Sequence, residues 1–256
     1  MLVKLGGSVL TNKERLKAPR GFVMYRLAKE LASAREQIIL VHGAGSFGHI
    51  RARKYKLDQG YIKGSQLDGV SEVQEDVRFL NLLLMGTLRK TGSRPVSIPP
   101  GVVVRFRSGV LESMQMEVFR DYLAVGMMPV TFGDVVRDID WRFAICSGDD
   151  LMLELSRAFK PSRCLFVVDV DGVFTSDPKG RGRPQFLEKV SRGDVGKVSL
   201  EVRKGVDVTG GIEGKLRKMF EAAEFTKECW ILNGLAPGRL RDALNGKRFI
   251  GTKVVS

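Results

Sequence analysis

Long hydrophobic runs are missing from this sequence: the longest, at residues 37–41 and 164–168, fall far short of the ~20 residues that span a bilayer. Neither a membrane-spanning helix nor a membrane partner is expected. The start, Met1-Leu-Val-Lys-Leu-Gly-Gly-Ser8, meets a lysine and then glycines instead of the apolar stretch of a secretory signal. Cysteine is scarce as well. Cys146, Cys164 and Cys229 are odd in number and far apart, which fits neither a disulfide framework nor a zinc site and suits a reducing compartment, so a cytoplasmic location is expected. With His42 and His49 the only histidines, no multi-histidine metal centre can be built, and no metal ligands are assigned to the chain. The P-loop signature, zinc-finger spacing and an aromatic-rich RNA-binding signature are also absent.

What is present is basic. Forty-two Lys and Arg against 29 Asp and Glu leave a formal charge of +13, which attracts polyanions such as nucleotides and phosphorylated metabolites. The basic residues are spread over 13–26, 51–56, 181–192 and 239–253 with acids interleaved. That is the pattern of a solvated basic surface, and no nucleic-acid partner is expected. At 256 residues, with 43% hydrophobic and 28% charged, the chain has the composition of a globular protein able to bury a sizeable core.

Short apolar runs alternate with segments of helical period. Residues 1–5, 37–41, 94–98, 128–131, 165–170 and 230–232 read as strands. Residues 21–34, 70–91, 118–124, 151–159, 214–223 and 235–244 read as helices, the second carrying Val73, Val77, Leu80, Leu84 and Leu88 on one stripe. This alternation predicts an α/β fold with a mostly parallel central sheet sandwiched by helices, an αβα arrangement. One continuous unit is expected, with an N-terminal lobe at 1–160 and a C-terminal lobe at 161–256.

Five clusters follow strands or open helices, where α/β proteins place ligands. Lys4-Leu-Gly-Gly-Ser8 ends the first strand; glycines let backbone N–H groups approach phosphate oxygens, and a lysine in an apolar strand calls for an anion. Taken alone it is equally a tight turn. His42-Gly-Ala-Gly-Ser-Phe-Gly-His49 follows the next strand. Its glycines at 43, 45 and 48 match the dinucleotide spacing, but no acidic residue stands after a second strand to hold a ribose. Ser147-Gly-Asp-Asp150 opens a helix, where one acid suffices as a cap and the second is left to order lysines or a metal. Val168-Asp-Val-Asp-Gly-Val-Phe174, followed by Asp177, ends a buried strand and is otherwise an Asx-turn. Val208-Thr-Gly-Gly-Ile-Glu-Gly-Lys215 places a cation in the first turn of a helix, against the helix dipole, so its natural counterpart is an anion. Together the clusters point to cradling more than one phosphate.

In order and over nearly the whole length, these clusters resemble the amino acid kinase superfamily. Gly45-Ser-Phe-Gly-His49, Gly133-Asp134 and Ser147-Gly-Asp-Asp150 narrow the likeness to its isopentenyl phosphate kinases. Where that family has a run of three glycines after the strand's histidine, this chain has Gly43-Ala44-Gly45; alanine is small enough to keep the backbone approach. The resemblance implies transfer of the ATP γ-phosphoryl group to isopentenyl phosphate, forming isopentenyl diphosphate in isoprenoid biosynthesis by the alternative mevalonate pathway, with Mg²⁺ bridging the nucleotide phosphates. It implies an acceptor site in the first lobe and ATP in the second. Lys4, Lys13 and Lys215 are implied as the catalytic cations, His49 as the group holding the acceptor phosphate, and Asp149 as the orienter of the lysines. Gly43, Ala44, Gly45, Gly48, Ser147 and Gly148 are implied to surround the acceptor, with Val70 and Val73 as candidate wall for its apolar tail; for the neighbouring Val77 core packing is the better reading. ATP falls to Lys4, Gly6, Gly7, Ser8, Gly45, Asp169, Asp171, Gly172, Val173, Asp177, Lys179, Gly210, Gly211 and Lys215. Of these, Gly6, Gly7, Gly45, Gly210 and Gly211 are expected to offer backbone donors. Relatives of this kind pair, so a homodimer is expected. Two other readings use the same ATP half: a sister kinase acting on UMP or fosfomycin, and a non-catalytic nucleotide-binding regulator.

Overall fold

Strand β1 (Leu2–Leu5) has no free face: Leu2 packs on one side of the main sheet, Val3 and Leu5 on the other. It is the hinge on which the architecture of the chain, known from a computed structural model describing residues 1–175, 184–197 and 211–255, is built. It leads into the single turn α1 (Gly7–Leu10), then α2 (Gly21–Ala32), β2 (Ile39–His42), α3 (His49–Lys54) and the long α4 (Ser65–Lys90). After β3 (Pro95–Ser97) and α5 (Pro100–Val103) come β4 (Val104–Arg107), β5 (Val110–Met114), α6 (Glu117–Ala124), β6 (Met128–Phe132), β7 (Asp134–Asp138) and β8 (Arg142–Cys146). The remainder is α7 (Gly148–Phe159), β9 (Arg163–Val168), β10 (Val173–Phe174), β11 (Phe186–Leu187), β12 (Lys189–Val190), α8 (Gly211–Ala223), β13 (Glu228–Asn233), α9 (Arg239–Leu244) and β14 (Gly251–Val254).

The main sheet runs β12-β14-β13-β9-β1-β2-β6-β3, parallel throughout except at β13–β14. It is continuous across residue 160, since β1 pairs with both β2 and β9. Side chains alternate between its faces with the period of two that a strand dictates. Leu2, Ile39, Val41, Cys164 and Phe166 face the layer that contains α7 and α8. Val3, Leu5, Leu40, Leu165 and Val167 face α2, α4 and α9. The expected αβα sandwich is therefore present.

The stripe Val73, Val77, Leu80, Leu84 and Leu88 is buried as its helical period predicts. The helix begins earlier than that stripe, at Ser65, because polar contacts anchor its start. Gln66 accepts from the N–H groups of Ile62 and Lys63 and donates to the carbonyls of Lys56 and Gly60. At the other end of the chain, the helix expected over 235–244 is shorter, Arg239–Leu244. Leu235 N–H is taken by the Asn233 side chain at 2.8 Å, and Gly238 sits in the left-handed region at φ 83, where glycine carries no steric penalty.

A second sheet, β5-β4-β7-β8, was not expected from the sequence. Its strands β4 and β5 are short and mostly exposed, so no apolar run marks them. Asp138 closes its turns by accepting the N–H groups of Ser108, Gly109, Asp140 and Trp141 at 2.8–3.1 Å. Burial would raise the Asp138 pKa, but these four donors outweigh it and hold the carboxyl below its ordinary range.

Candidate active site

A cavity of about 520 Å³ opens where β1, β2 and β9 end, at the carboxyl edge of the parallel sheet. Its polar floor is made by two glycine loops in contact. A Cβ on Gly7 would lie 2.3 Å from Gly45 N, and one on Gly43 would lie 2.6 Å from Gly7 N. Gly45 has φ +53, and a Cβ there would meet Thr11 Oγ1 at 2.2 Å. The same Thr11 hydroxyl donates to Gly7 O at 2.8 Å and accepts Ser46 N–H at 2.9 Å, tying the two loops together.

Lys4 follows Leu2 in strand parity, between Val41 and Phe166 in register, so it points towards the start of α7. There Lys4 Nζ donates to Asp149 Oδ1, with the aspartate side chain only 4% exposed. Asp149 is free for this because Ser147 and Asp150 form a reciprocal capping box: Ser147 Oγ accepts Asp150 N–H and Asp150 Oδ2 accepts Ser147 N–H, each at 3.1 Å. Asp150 also pairs with Lys218 of α8, a cation that sequence reading did not single out. Beyond β9, Asp169 accepts the Ser8 hydroxyl at 2.6 Å and lies 3.4 Å from Lys13 Nζ. His49 opens α3 at the cavity's edge, and Lys215 reaches it from α8.

Gly6, Ala44, Gly48, Val73, Ser147 and Gly148 also border the cavity. Gly6 does so without the donor role expected of it, because its N–H is given to Val167 O at 2.8 Å. Val70 packs beside the wall instead of lining it, and Val77 lies in the core as read. Three positions assigned to the nucleotide stand apart from the cavity. Asp171 is held by Arg239 at 2.5 Å and Asn233 at 2.9 Å, Val173 is buried in β10, and Gly172 abuts Thr252, whose Oγ1 would meet a Cβ at 2.3 Å. Asp177, Lys179 and Gly210 lie outside the described residues; Gly211 is the first residue of α8.

Opposite the polar floor stands an apolar wall. Ala52 of α3, Val73 of α4, Val135 of β7 and Ile145 of β8 border the cavity and belong to one packed cluster with Leu57, Phe132 and Phe143. Only Val73 was found by sequence reasoning. The others come from the unexpected hairpin and from a helix of six residues, neither of which has a periodic signature. Asp134, at the foot of that hairpin, lines the cavity too. Its Oδ1 accepts Val135 N–H at 2.8 Å, while the buried Oδ2 has no hydrogen bond, only Arg78 at 3.4 Å. Burial pushes its pKa up to about 7 against the opposing pull of Arg78 and the Val135 N–H. Beneath the second loop, His42 is fully buried, which brings its pKa down to about 4. Its neutral ring sits 3.2 Å from Gly43 O and 3.1 Å from Asn81 Nδ2.

The amino acid kinase family matches residues 1–233 of the chain. The isopentenyl phosphate kinase of Methanothermobacter thermautotrophicus is 35% identical over 99% of this chain and 98% of its own length. That of Thermoplasma acidophilum is 31% identical, with 99% of both chains covered. Among solved structures, one of isopentenyl phosphate kinase superposes with a TM-score of 0.85 at 32% identity, covering 99% of this chain and 98% of the other. The UMP kinase of Ureaplasma parvum shares the fold at 14% identity, with a TM-score of 0.65 over 100% of this chain and 97% of its own. With its full length matched in sequence and in fold, the chain belongs to the amino acid kinase family.

Proposed function

We propose that the chain is an ATP-dependent phosphotransferase that phosphorylates isopentenyl phosphate, giving isopentenyl diphosphate and ADP. One observation carries the reading: a single cavity joins paired lysines and glycine loops at one end to an apolar wall beside His49 at the other. A phosphate with a short branched apolar tail fits both ends. The wall residues Ala52, Val73, Val135 and Ile145 are all apolar, as a short alkyl tail requires.

An acceptor phosphate oxygen attacks the γ-phosphorus of ATP, and the bond from that phosphorus to the β–γ bridging oxygen breaks, releasing ADP. With a second pKa near about 6, an alkyl phosphate is mostly dianionic at neutral pH, so no strong general base is required. What is required is charge neutralisation and alignment. Lys4, oriented by Asp149, and Lys13 and Lys215 supply positive charge around the transferring group, and the Gly7 and Gly45 loops bring backbone within reach of its oxygens. His49 holds the acceptor phosphate. Residues 1–160 supply the acceptor half and 161–256 the nucleotide half, with β1 and its glycine loop serving both.

Magnesium fits this site as an ion carried by the nucleotide phosphates. Asp149 and Asp169 already face Lys4 and Lys13, and no cluster of three ligating side chains occurs among the described residues. When bound, the ion neutralises phosphate charge. We further propose a cytoplasmic homodimer; Phe22, Phe79 and Leu82 are exposed apolar residues on α2 and α4, suited to pairing, and no described helix is long and apolar enough to cross a membrane. The test is ADP release with ATP and Mg²⁺ across isopentenyl phosphate, dimethylallyl phosphate, UMP, fosfomycin, glutamate and carbamate, with His49→Ala in parallel. Turnover of isopentenyl phosphate that collapses in the variant is expected; turnover confined to UMP or fosfomycin would replace the acceptor and leave the ATP half standing.

A further inference from the structure

The loop that carries Lys13 is closed on itself. Thr11 and Pro19 form an isolated bridge, and Asn12 N–H donates to Ala18 O at 2.8 Å. Contacts from several segments tie it to the rest of the molecule. Ala18 N–H donates to Ser46 Oγ at 3.3 Å, Lys17 N–H to Ser46 O at 3.5 Å, Lys13 Nζ lies 3.4 Å from Asp169 Oδ2, and the Lys17 ammonium reaches across to Asp76 of α4. Lys17 adopts φ 51, a backbone region unfavourable for a residue with a side chain and held only by surrounding contacts.

Asp76 is 1% exposed, and its two oxygens serve two different segments. Oδ1 takes Lys17; Oδ2 takes Arg51 Nε of α3 at 2.7 Å. Arg51 also pairs with Glu72, one turn away on α4, and Glu72 accepts the Tyr55 hydroxyl at 3.1 Å. The two cations stand close in sequence to the groups at issue: Lys17 four residues after Lys13, Arg51 two after His49. Val73, on the cavity wall, lies one turn before Asp76 on the same helix. A buried carboxylate bonded to two cations is strongly destabilised when one is removed, so the arrangement keeps all three elements in one register.

We propose that Asp76 is a positioning residue that sets the distance between Lys13 and His49, and thereby the alignment of donor and acceptor phosphates. The proposal rests on the function above for the roles of those two groups. It assigns separate consequences to the two arms: the Lys17 arm acts on transfer through Lys13, and the Arg51 arm acts on acceptor binding through His49.

The test uses the purified full chain. Lys17→Met, at a residue 40% exposed on its side chain, is expected to lower kcat about tenfold with the KM for isopentenyl phosphate changed less than about twofold, since small misplacements of aligned groups cost that much or more. Lys17→Arg, which keeps the ion pair, is expected to restore most of the rate. Arg51→Met is expected to raise that KM about tenfold, with the smaller effect on kcat. Asp76→Asn should show both changes. Kinetic losses that merely follow lost thermal stability, or changes below about twofold in Lys17→Met and Arg51→Met alike, would overturn the proposal. Amide hydrogen exchange separates it from the choice of substrate. Faster exchange at 12–19 alone is expected in Lys17→Met, and at both 12–19 and 49–55 in Asp76→Asn. Should the wild type prove silent on isopentenyl phosphate, the function falls, and the Asp76 hub is then judged by exchange: unchanged protection in both variants would sink it.

Discussion

The two ends of the cavity are built in opposite ways. At the phosphate end, backbone and paired charges converge from segments far apart in sequence: Gly7 against Gly45, and Lys4 against Asp149. Each element there has little freedom, because a Cβ at Gly7 or Gly43 would enter a neighbouring backbone. At the apolar end, Val135 and Ile145 are neighbours across one antiparallel hairpin, and Ala52 and Val73 reach them from two helices by side-chain packing. Charge and close backbone approach demand particular residue types, whereas an apolar wall demands only volume. The phosphate end should therefore be intolerant of change and common to kinases of this family, and the apolar end tunable.

The sharpest way to break that contrast is Lys4→Met, which leaves Asp149 buried without its cation. A fall in kcat on the order of 10²–10³, the size seen when one donor to developing charge is removed, is expected in an ADP-release assay. Asp149→Asn should lower kcat less, since it keeps the shape and one acceptor oxygen. Next comes Gly45→Ala. Its φ of +53 and the 2.2 Å approach to Thr11 Oγ1 predict a loss of about 1–3 kcal/mol in thermal or urea unfolding, whereas Gly64→Ala, where a Cβ meets nothing within 4 Å, should be close to neutral. At the apolar end, Ile145→Ala and Val73→Ala should preserve turnover and shift relative kcat/KM towards longer alkyl phosphates by about 10-fold, the scale set by one or two methylenes. Unchanged relative rates across an alkyl series would show that the wall does not read the tail.

The smallest expected effect is on stability against pH, and two buried groups act with opposite sign. Asp134 has its pKa raised from 3.8 to about 7, so the folded chain binds its proton more tightly than the unfolded one. Its contribution is complete below about pH 4 and is lost as pH rises through 7. His42 has its pKa lowered from 6.5 to about 4, so its contribution is complete above 6.5 and is lost as pH falls through 4. Between these limits the slopes oppose one another. Asp134→Asn should remove the loss of stability towards pH 8 and expose the rise between pH 4 and 6.5 due to His42, read from unfolding temperatures across buffers.

The division between the two ends is also the division between what could be read in the sequence and what could not. Lys4-Leu-Gly-Gly-Ser8, Gly43-Ala-Gly45 and Ser147-Gly-Asp149 are each open to a plain turn or cap when taken alone; it is their order along the chain, each after a strand or opening a helix, that made them legible. The stripe from Val73 to Leu88 was legible from its period. Asp171, Gly172 and Val173 followed the same strand-end logic; in the structure Asp171 pairs with Arg239 and Asn233 and Val173 N–H with Thr252, and none of the three borders the cavity. Gly6 looked equivalent to Gly7 until Val167 took its N–H. Val135 and Ile145 were not singled out, since they sit in a short, mostly buried hairpin with no helical period to mark it.

By itself the sequence determined the alternation of strand and helix, the αβα sandwich and the chain positions at which phosphate chemistry gathers, because period, turn residues and strand ends are local properties. Only the tertiary structure decided which of those groups meet. Lys4 finds Asp149 across 145 positions, Lys17 and Arg51 find the buried Asp76, and an apolar wall closes beside His49. Such pairings depend on how strands register and helices stack, and the free energy that selects them is shared over the whole packed core.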